Sequence, residues 1–162
     1  MAIYRDLIFK YRLFMKVYPF ARYAVRPVPC ATLDRPLNTA RVALITTAGL
    51  HSPGQPAFDR SLNGGDPSFR EISRAVETST LIESHDSDAF DHSGVQADRN
   101  LAFPVDRFRE LEARGAIGTL NHRHFSFMGS ITKPERLIAE TAPLAAQRLR
   151  DDGVEVAFLT PV

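Results

Sequence analysis

Apolar positions along the chain fall into a few periodic blocks, separated by stretches rich in proline, glycine and short polar residues. In residues 3–18, Ile3, Leu7, Phe14 and Tyr18 recur at helical spacing and Tyr4, Ile8 and Tyr11 widen the stripe, so the pattern predicts a helix that Pro19 stops. Residues 26–36 hold three prolines and little periodicity, which predicts an extended connector. The run RVALITT at 41–47 is almost continuously apolar, as in a strand buried on both faces. A loop rich in Pro, Gly, Asp and Asn covers 51–68 and is long enough to suggest a functional role. Short strands are predicted at 69–76 and 80–85. A helix is predicted at 104–114, with Phe108 and Leu111 facing inward and Gly115 as its C-terminal cap. Residues 121–130 read as a loop or edge element. Thr132 and Glu135 have capping-box spacing and open a helix to about residue 152, with a kink at Pro143 and an end at Gly153. The last block, 154–160 (VEVAFLT), predicts a second buried, parallel-type strand.

Alternating strands and helices define an α/β class with a mostly parallel sheet, of Rossmann or flavodoxin type. The organisation expected is an N-terminal helix and connector over 1–36 and an α/β domain over 37–162. A parallel strand is normally followed by a helix that covers the sheet. None follows residue 160 before Val162, so the sheet reads as incomplete at its C-terminus.

Composition narrows the function classes. With 162 residues and 44% hydrophobic positions, the chain can bury one real core. A net charge of +1 gives no global reason to expect nucleic acid as a partner. Charge is uneven at the start, where the first thirty residues carry six Arg or Lys against the single acid Asp6. Such a basic amphipathic helix can dock on a membrane or a partner, although packing on its own domain is the commoner use. No apolar run approaches a transmembrane segment, and no secretory signal is visible, so a cytoplasmic protein is expected. Cys30 is the sole cysteine, which rules out an internal disulfide. No neighbour in sequence would lower its pKa, so it reads as inert.

Candidate chemistry concentrates where strands end, because ligands of open α/β sheets bind at the carboxyl ends of strands. His51 follows the first strand and is a candidate proton donor. Thr47 and Thr160, at the ends of the two apolar strands, are candidate substrate-binding residues, as are Asp66 and Arg70. A turn-forming Asp and a surface ion pair would explain Asp66 and Arg70 equally well. His85, Asp86, Asp88, Asp91 and His92 form a dense cluster whose residue types suit zinc or iron, yet whose spacing matches no metal signature. His122 and His124 would share one face of a strand. Neither GxGxxG nor GxxxxGK[ST] occurs, so a dinucleotide or P-loop site is unsupported.

Several pieces occur in a telling order: TTAGLH (46–51), the Gly-Asp-x-Ser-x-Arg stretch (65–70) with Glu71 and Ile72, and Ser84-His85. They continue with DRNLAFPVDR (98–107), GAIG (115–118), HFSFMG (124–129) and LTPV (159–162). Together they resemble the selenoprotein B subunits of glycine, sarcosine, betaine and D-proline reductases, over roughly residues 41–162. That resemblance implies an oxidoreductase with a disulfide as acceptor, in which a selenolate attacks a substrate carbon and a bond such as C–N is cleaved reductively. A selenide-sulfide intermediate would then be resolved by a dithiol. It marks His51 and His124 as candidate catalytic residues. The substrate would be a small amine or amino-acid-like compound, the reductant a dithiol or thioredoxin-like protein, and a partner subunit is possible. Selenocysteine, or cysteine in some relatives, lies in that family just after the stretch that LTPV resembles. The expectation is therefore a redox residue encoded by an in-frame UGA after Val162, and no activity for residues 1–162 alone. No metal or other cofactor is expected in these residues. Two further readings stand beside it: a non-catalytic partner subunit that completes its sheet by association, and a metal-dependent hydrolase built on His85 to His92.

Overall fold

The structure is a computed structural model that describes residues 8–18, 26–85, 87 and 92–162. It divides into two compact units, Met1–Thr32 and Leu33–Val162. In the first unit the helix expected over 3–18 is found as α1 (Phe9–Val17), and the expected residues 3–7 lie outside the described residues. No residue of α1 is buried.

The second unit is a mixed α/β domain. Its strands are β1 (Arg41–Thr46), β2 (Leu50–His51), β3 (Phe69–Ser73), β4 (Ile82–Glu83), β5 (Thr119–Leu120), β6 (Arg123–Phe127) and β7 (Val156–Thr160). Its α-helices are α2 (His92–Ala97), α3 (Val105–Ala113) and α4 (Ala142–Asp151). β1 is central, because its residues bury on both faces. On one side it pairs in parallel with β5 at its start and with β6 at its end; on the other it pairs in parallel with β7 along its length. β3 runs antiparallel outside β6. β2 and β4 form a separate antiparallel pair.

Period-two alternation along β1 divides the core. Val42 and Leu44 join Phe103, Val105 and Leu120 on the α3 face, while Ala43 packs with Phe125, Phe127, Ala145 and Leu149 on the α4 face. The expected helix 104–114 and the two apolar strands thus form, and α3 and α4 stop at Gly115 and Gly153 as their caps predict, but β7 is not the buried strand expected: it lies at the border of the described sheet and none of its residues is buried. Among the described residues no helix is long and apolar enough to cross a membrane.

Four other elements differ from expectation. The strand predicted at 80–85 is reduced to Ile82–Glu83, because residues 78–80 close a 3₁₀ turn in which Leu81 N–H donates to the Thr78 carbonyl. The strand at 69–76 ends at Ser73. The helix expected from Thr132 to residue 152 begins only at Glu135, and its first part, Leu137–Thr141, is a π-helix rather than an α-helix with a simple kink. Pro143 lies where the π-helix gives way to α4, so the break in regular α-helix falls beside the proline. Finally, 121–130 is not an edge: β6 is an interior strand between β1 and β3.

Candidate functional site

Three parallel strands, β1, β6 and β7, end on the same side of the sheet, and the residues that follow them build the candidate site. After Thr46 the chain turns through Ala48 and Gly49. Ala48 N–H donates to Thr46 Oγ1 at 3.2 Å and Gly49 N–H to the Phe127 carbonyl at 2.9 Å. Gly49 has φ +64°, a conformation that glycine adopts without a Cβ penalty. A Cβ there would also lie 2.9 Å from the backbone nitrogen of His85. Across the site, a Cβ on Gly129 would lie 2.4 Å from His85 Nε2 and 2.8 Å from the Thr47 carbonyl oxygen. The two glycines therefore let the 83–85 segment press onto the ends of β1 and β6.

That segment brings His51 and Ser84 together. His51 is 5% exposed; its Nε2 lies 3.0 Å from Ser84 Oγ and its Nδ1 3.2 Å from the Ser52 carbonyl oxygen. Ser84 N–H donates to the Gly49 carbonyl at 3.0 Å. Buried Glu83 accepts from the His85 backbone N–H at 2.5 Å and pairs with His92 Nδ1 at 2.8 Å. The hydrogen bond to Glu83, with its negative charge, raises the His92 pKa above the ordinary imidazole value. His85 is buried and its Nδ1 accepts from Ser87 N–H at 3.1 Å. Asp86, Asp88 and Asp91 lie outside the described residues, and among the described residues no group of three His, Cys, Asp or Glu side chains is placed to hold a metal.

His124 occupies a different place. It is fully buried on the α3 face, edge-on to Phe103 with ring centres 5.7 Å apart. Its Nδ1 accepts the backbone N–H of Leu44 at 3.1 Å, filling the gap where Asn121 and His122 interrupt the strand between β5 and β6. Burial, then the charges of Arg74 and Arg109, push its pKa down to about 3, so the ring is neutral. His122 is at the surface, 3.8 Å from Asp152.

Asp66 and Arg70 meet each other at 3.7 Å, and their remaining polar atoms hold the 52–68 loop. Asp66 accepts from Asp59 N–H, Ser68 N–H and Ser68 Oγ. Burial opposes its ionisation, but the Ser68 hydroxyl, the two backbone amides and the Arg70 charge outweigh it and hold the pKa below the usual carboxylate value. Arg70 donates to the carbonyls of Pro56, Ala57 and Phe69 and stacks over Phe58 at 4.2 Å.

Thr47 and Thr160 meet where β1 and β7 end: Thr47 N–H donates to the Thr160 carbonyl at 3.2 Å, and Thr47 Oγ1 accepts from Val162 N–H at 2.9 Å. Beside them an apolar groove of about 500 Å³ runs between α4 and β7, lined by Ile45, Phe127, Ala145, Leu149 and Leu159, and reaches Gly129 and Val162. A polar cleft of about 550 Å³, containing Arg35, Arg41, Arg150 and Glu155, lies at the opposite, amino ends of β1 and β7.

Sequence reasoning had no role for Ser84, although Ser84-His85 is one of the ordered pieces. Its partner His51 lies 33 residues away, and only the β2–β4 pairing unites them.

The fold and the strand-end cluster define the class: a mixed α/β domain with a mostly parallel sheet and a histidine-rich site at the strands' carboxyl ends. The chain belongs to the glycine/sarcosine/betaine reductase selenoprotein B family, which it matches over residues 12–162. It is similar to D-proline reductase subunit gamma of Acetoanaerobium sticklandii, at 32% identity over 137 residues that cover 84% of this chain and 54% of that protein. Glycine reductase complex component B subunit gamma of Carboxydothermus hydrogenoformans is 30% identical over 137 residues, 82% of this chain and 30% of that one. Betaine reductase complex component B subunit beta of Peptoclostridium acidaminophilum is 24% identical over 136 residues, 82% and 30% of the two chains. The chain thus spans about half of the first of these relatives and under a third of the other two. No solved structure matches it.

Proposed function

We propose that this protein is a subunit of a reductase complex that cleaves a C–N bond of a small amine or amino-acid-like substrate, with a dithiol oxidised to a disulfide. Its redox residue, selenocysteine or cysteine, follows Val162 in the complete protein. The observation that carries this reading is the Thr47–Val162 hydrogen bond, which holds the end of β7 against the end of β1. The parallel strands stand in the order β6, β1, β7, so the chain moves from one side of β1 to the other. In a flavodoxin-like sheet that reversal is the switch point, where ligands bind at the strand ends. A nucleophile just after Val162 would stand at this switch point, beside Thr47 and Thr160. A selenolate there is ionised at neutral pH and needs no pKa depression to attack carbon.

Atoms and electrons balance without a bound metal. The selenolate pair forms the Se–C bond as the C–N pair leaves on nitrogen, which takes a proton. A thiolate then attacks selenium, the carbon takes a proton, and the second thiol releases the selenolate and closes the disulfide. A thioredoxin-like protein is a fitting dithiol, and the cytoplasm a fitting compartment. The open edge of β7, where Leu159 is 62% exposed and Phe158 44%, favours further cover by polypeptide or by a partner subunit. Reading the gene beyond the Val162 codon tests the proposal. An in-frame continuation that opens with a selenocysteine (UGA) or cysteine codon is expected, with selenium in the purified protein in the first case. A UAA or UAG at that codon would leave the partner-subunit reading in its place.

A further inference from the structure

His51 is the better-insulated member of its pair. Both ring nitrogens are engaged, and only 5% of the residue is exposed. The Ser52 carbonyl can only accept, so in the neutral ring it draws the proton to Nδ1. Nε2 is then an acceptor, and at 3.0 Å its partner is the Ser84 hydroxyl proton. Ser84 is half-buried and His51 buried, so Ser84 is the more accessible residue of the pair. The arrangement is a hydroxyl, a base within hydrogen-bond reach, and a third group orienting the base. Both residues are anchored on the turn after β1, since Ser84 N–H is bonded to Gly49.

We infer that Ser84, backed by His51, is the proton-transfer group of the strand-end site. This rests on the reductase reading for its substrate, although not for its geometry. A thiol of the dithiol reductant gives its proton to Ser84 Oγ as the Ser84 proton passes to His51 Nε2. The imidazolium stands with Nδ1–H on the Ser52 carbonyl. The reverse transfer returns the proton through Ser84 to the carbon that selenium releases as the thiolate attacks. No electrons move along the relay; the reducing pair comes from the dithiol, which ends as a disulfide.

Two measurements test this. In the 162-residue chain, imidazole ¹⁵N shifts of His51 should show Nδ1 protonated and Nε2 accepting, and Ser84→Ala should move the Nε2 resonance alone. A protonated Nε2 in the neutral ring would overturn the proposal whatever the protein's reaction. In the full-length protein with substrate and dithiothreitol, Ser84→Ala and His51→Gln should each lower turnover by about 100-fold or more. KM should be little changed, and Ser84→Thr should restore most of the rate. A Ser84→Ala enzyme within twofold of wild type, or a loss that Thr does not rescue, would overturn it. Wild-type protein without reductive cleavage would sink the reductase reading and, with it, this role in reduction; the ¹⁵N result would still decide the hydrogen-bonded pair.

Discussion

Thr47 and Val162 are joined across 115 residues through the Thr47 hydroxyl, which accepts from the Val162 N–H at 2.9 Å and donates to the Val162 carbonyl at 3.4 Å. Among the described residues β7 pairs only with β1, so this contact closes the last rung of their ladder. Replacing Thr47 by Val keeps the shape and removes the acceptor. Because the bond is exposed, the global cost should be no more than about 1 kcal/mol. Local fraying should be much larger: hydrogen exchange at the Val162 amide should speed up while exchange at Ile45 in β1 stays slow. Equal protection of Val162 in both proteins would show that the hydroxyl does not hold the strand end.

Gly129 makes a sharper case for close packing at the site. An added Cβ would meet the Thr47 carbonyl oxygen at 2.8 Å and His85 Nε2 at 2.4 Å. The carbonyl belongs to the strand end and cannot rotate away, so the 83–85 segment must lift. Gly129→Ala should destabilise the domain by about 1–3 kcal/mol in denaturant melts. It should also weaken the His51–Ser84 contact, read as a change in the His51 ring shifts. A melt and spectrum identical to wild type would mean that the segment packs more loosely than described.

Much of this architecture can be read from the residues. RVALITT is apolar without alternation and lies where a sheet covered by helices requires it, whereas VEVAFLT, read the same way, forms a strand with no buried residue. The interior position of β6 cannot be read that way, since its α3-facing residues are His124 and Ser126. Their polarity suggests a loop, yet each side chain serves a backbone donor from a distant element: Leu44 N–H for His124 and Leu50 N–H for Ser126. Polar residues satisfied across such separations have no signature in a local pattern. The same holds for the site. His51 stands out by following a strand, whereas Ser84 gains meaning only once β2 pairs with β4. Arg70, whose fork suits a substrate carboxylate, instead spends its donors on loop carbonyls.

His92 and Glu83 give a pH-dependent prediction. The Glu83 bond raises the folded-state pKa of His92, so the protonated ring is favoured in the fold. The stability gained is fully present below the unfolded value of 6.5 and is lost as pH rises through the folded pKa. NMR titration should place His92 above the ordinary value in the wild type and return it there in Glu83→Gln. If Glu83→Gln left the His92 titration unmoved, the pair would not be formed in solution.

Asp152 runs the other way. Arg123 pairs with it and Asn121 donates to it, and together they hold its pKa at about 2 against the desolvation that opposes ionisation. Its contribution is complete above the ordinary value of 3.8 and is lost as pH falls towards about 2. Asp152→Asn should cost roughly 1.5–3 kcal/mol at pH 7 and should flatten the acid limb of the stability curve. A variant with the same acid midpoint as wild type would remove Asp152 from the account.

His124 tests whether a buried imidazole can stand in for a backbone carbonyl. In the fold its pKa is pushed down to about 3, first by burial and then by Arg74 and Arg109, while the unfolded ring titrates near 6.5. Between those values the unfolded chain binds a proton that the folded chain refuses, so stability rises with pH across that window. What His124 contributes is therefore full above about 6.5 and is lost as pH falls towards about 3. His124→Leu fills similar space, removes the titration and leaves Leu44 N–H buried without its acceptor. The variant should be less stable than wild type at pH 7 by about 1–3 kcal/mol, and the gap should narrow as pH falls from 6.5 to 4. A gap constant with pH would mean that His124 is protonated in the fold, and a ring that accepts from Leu44 through Nδ1 could not then be buried as described.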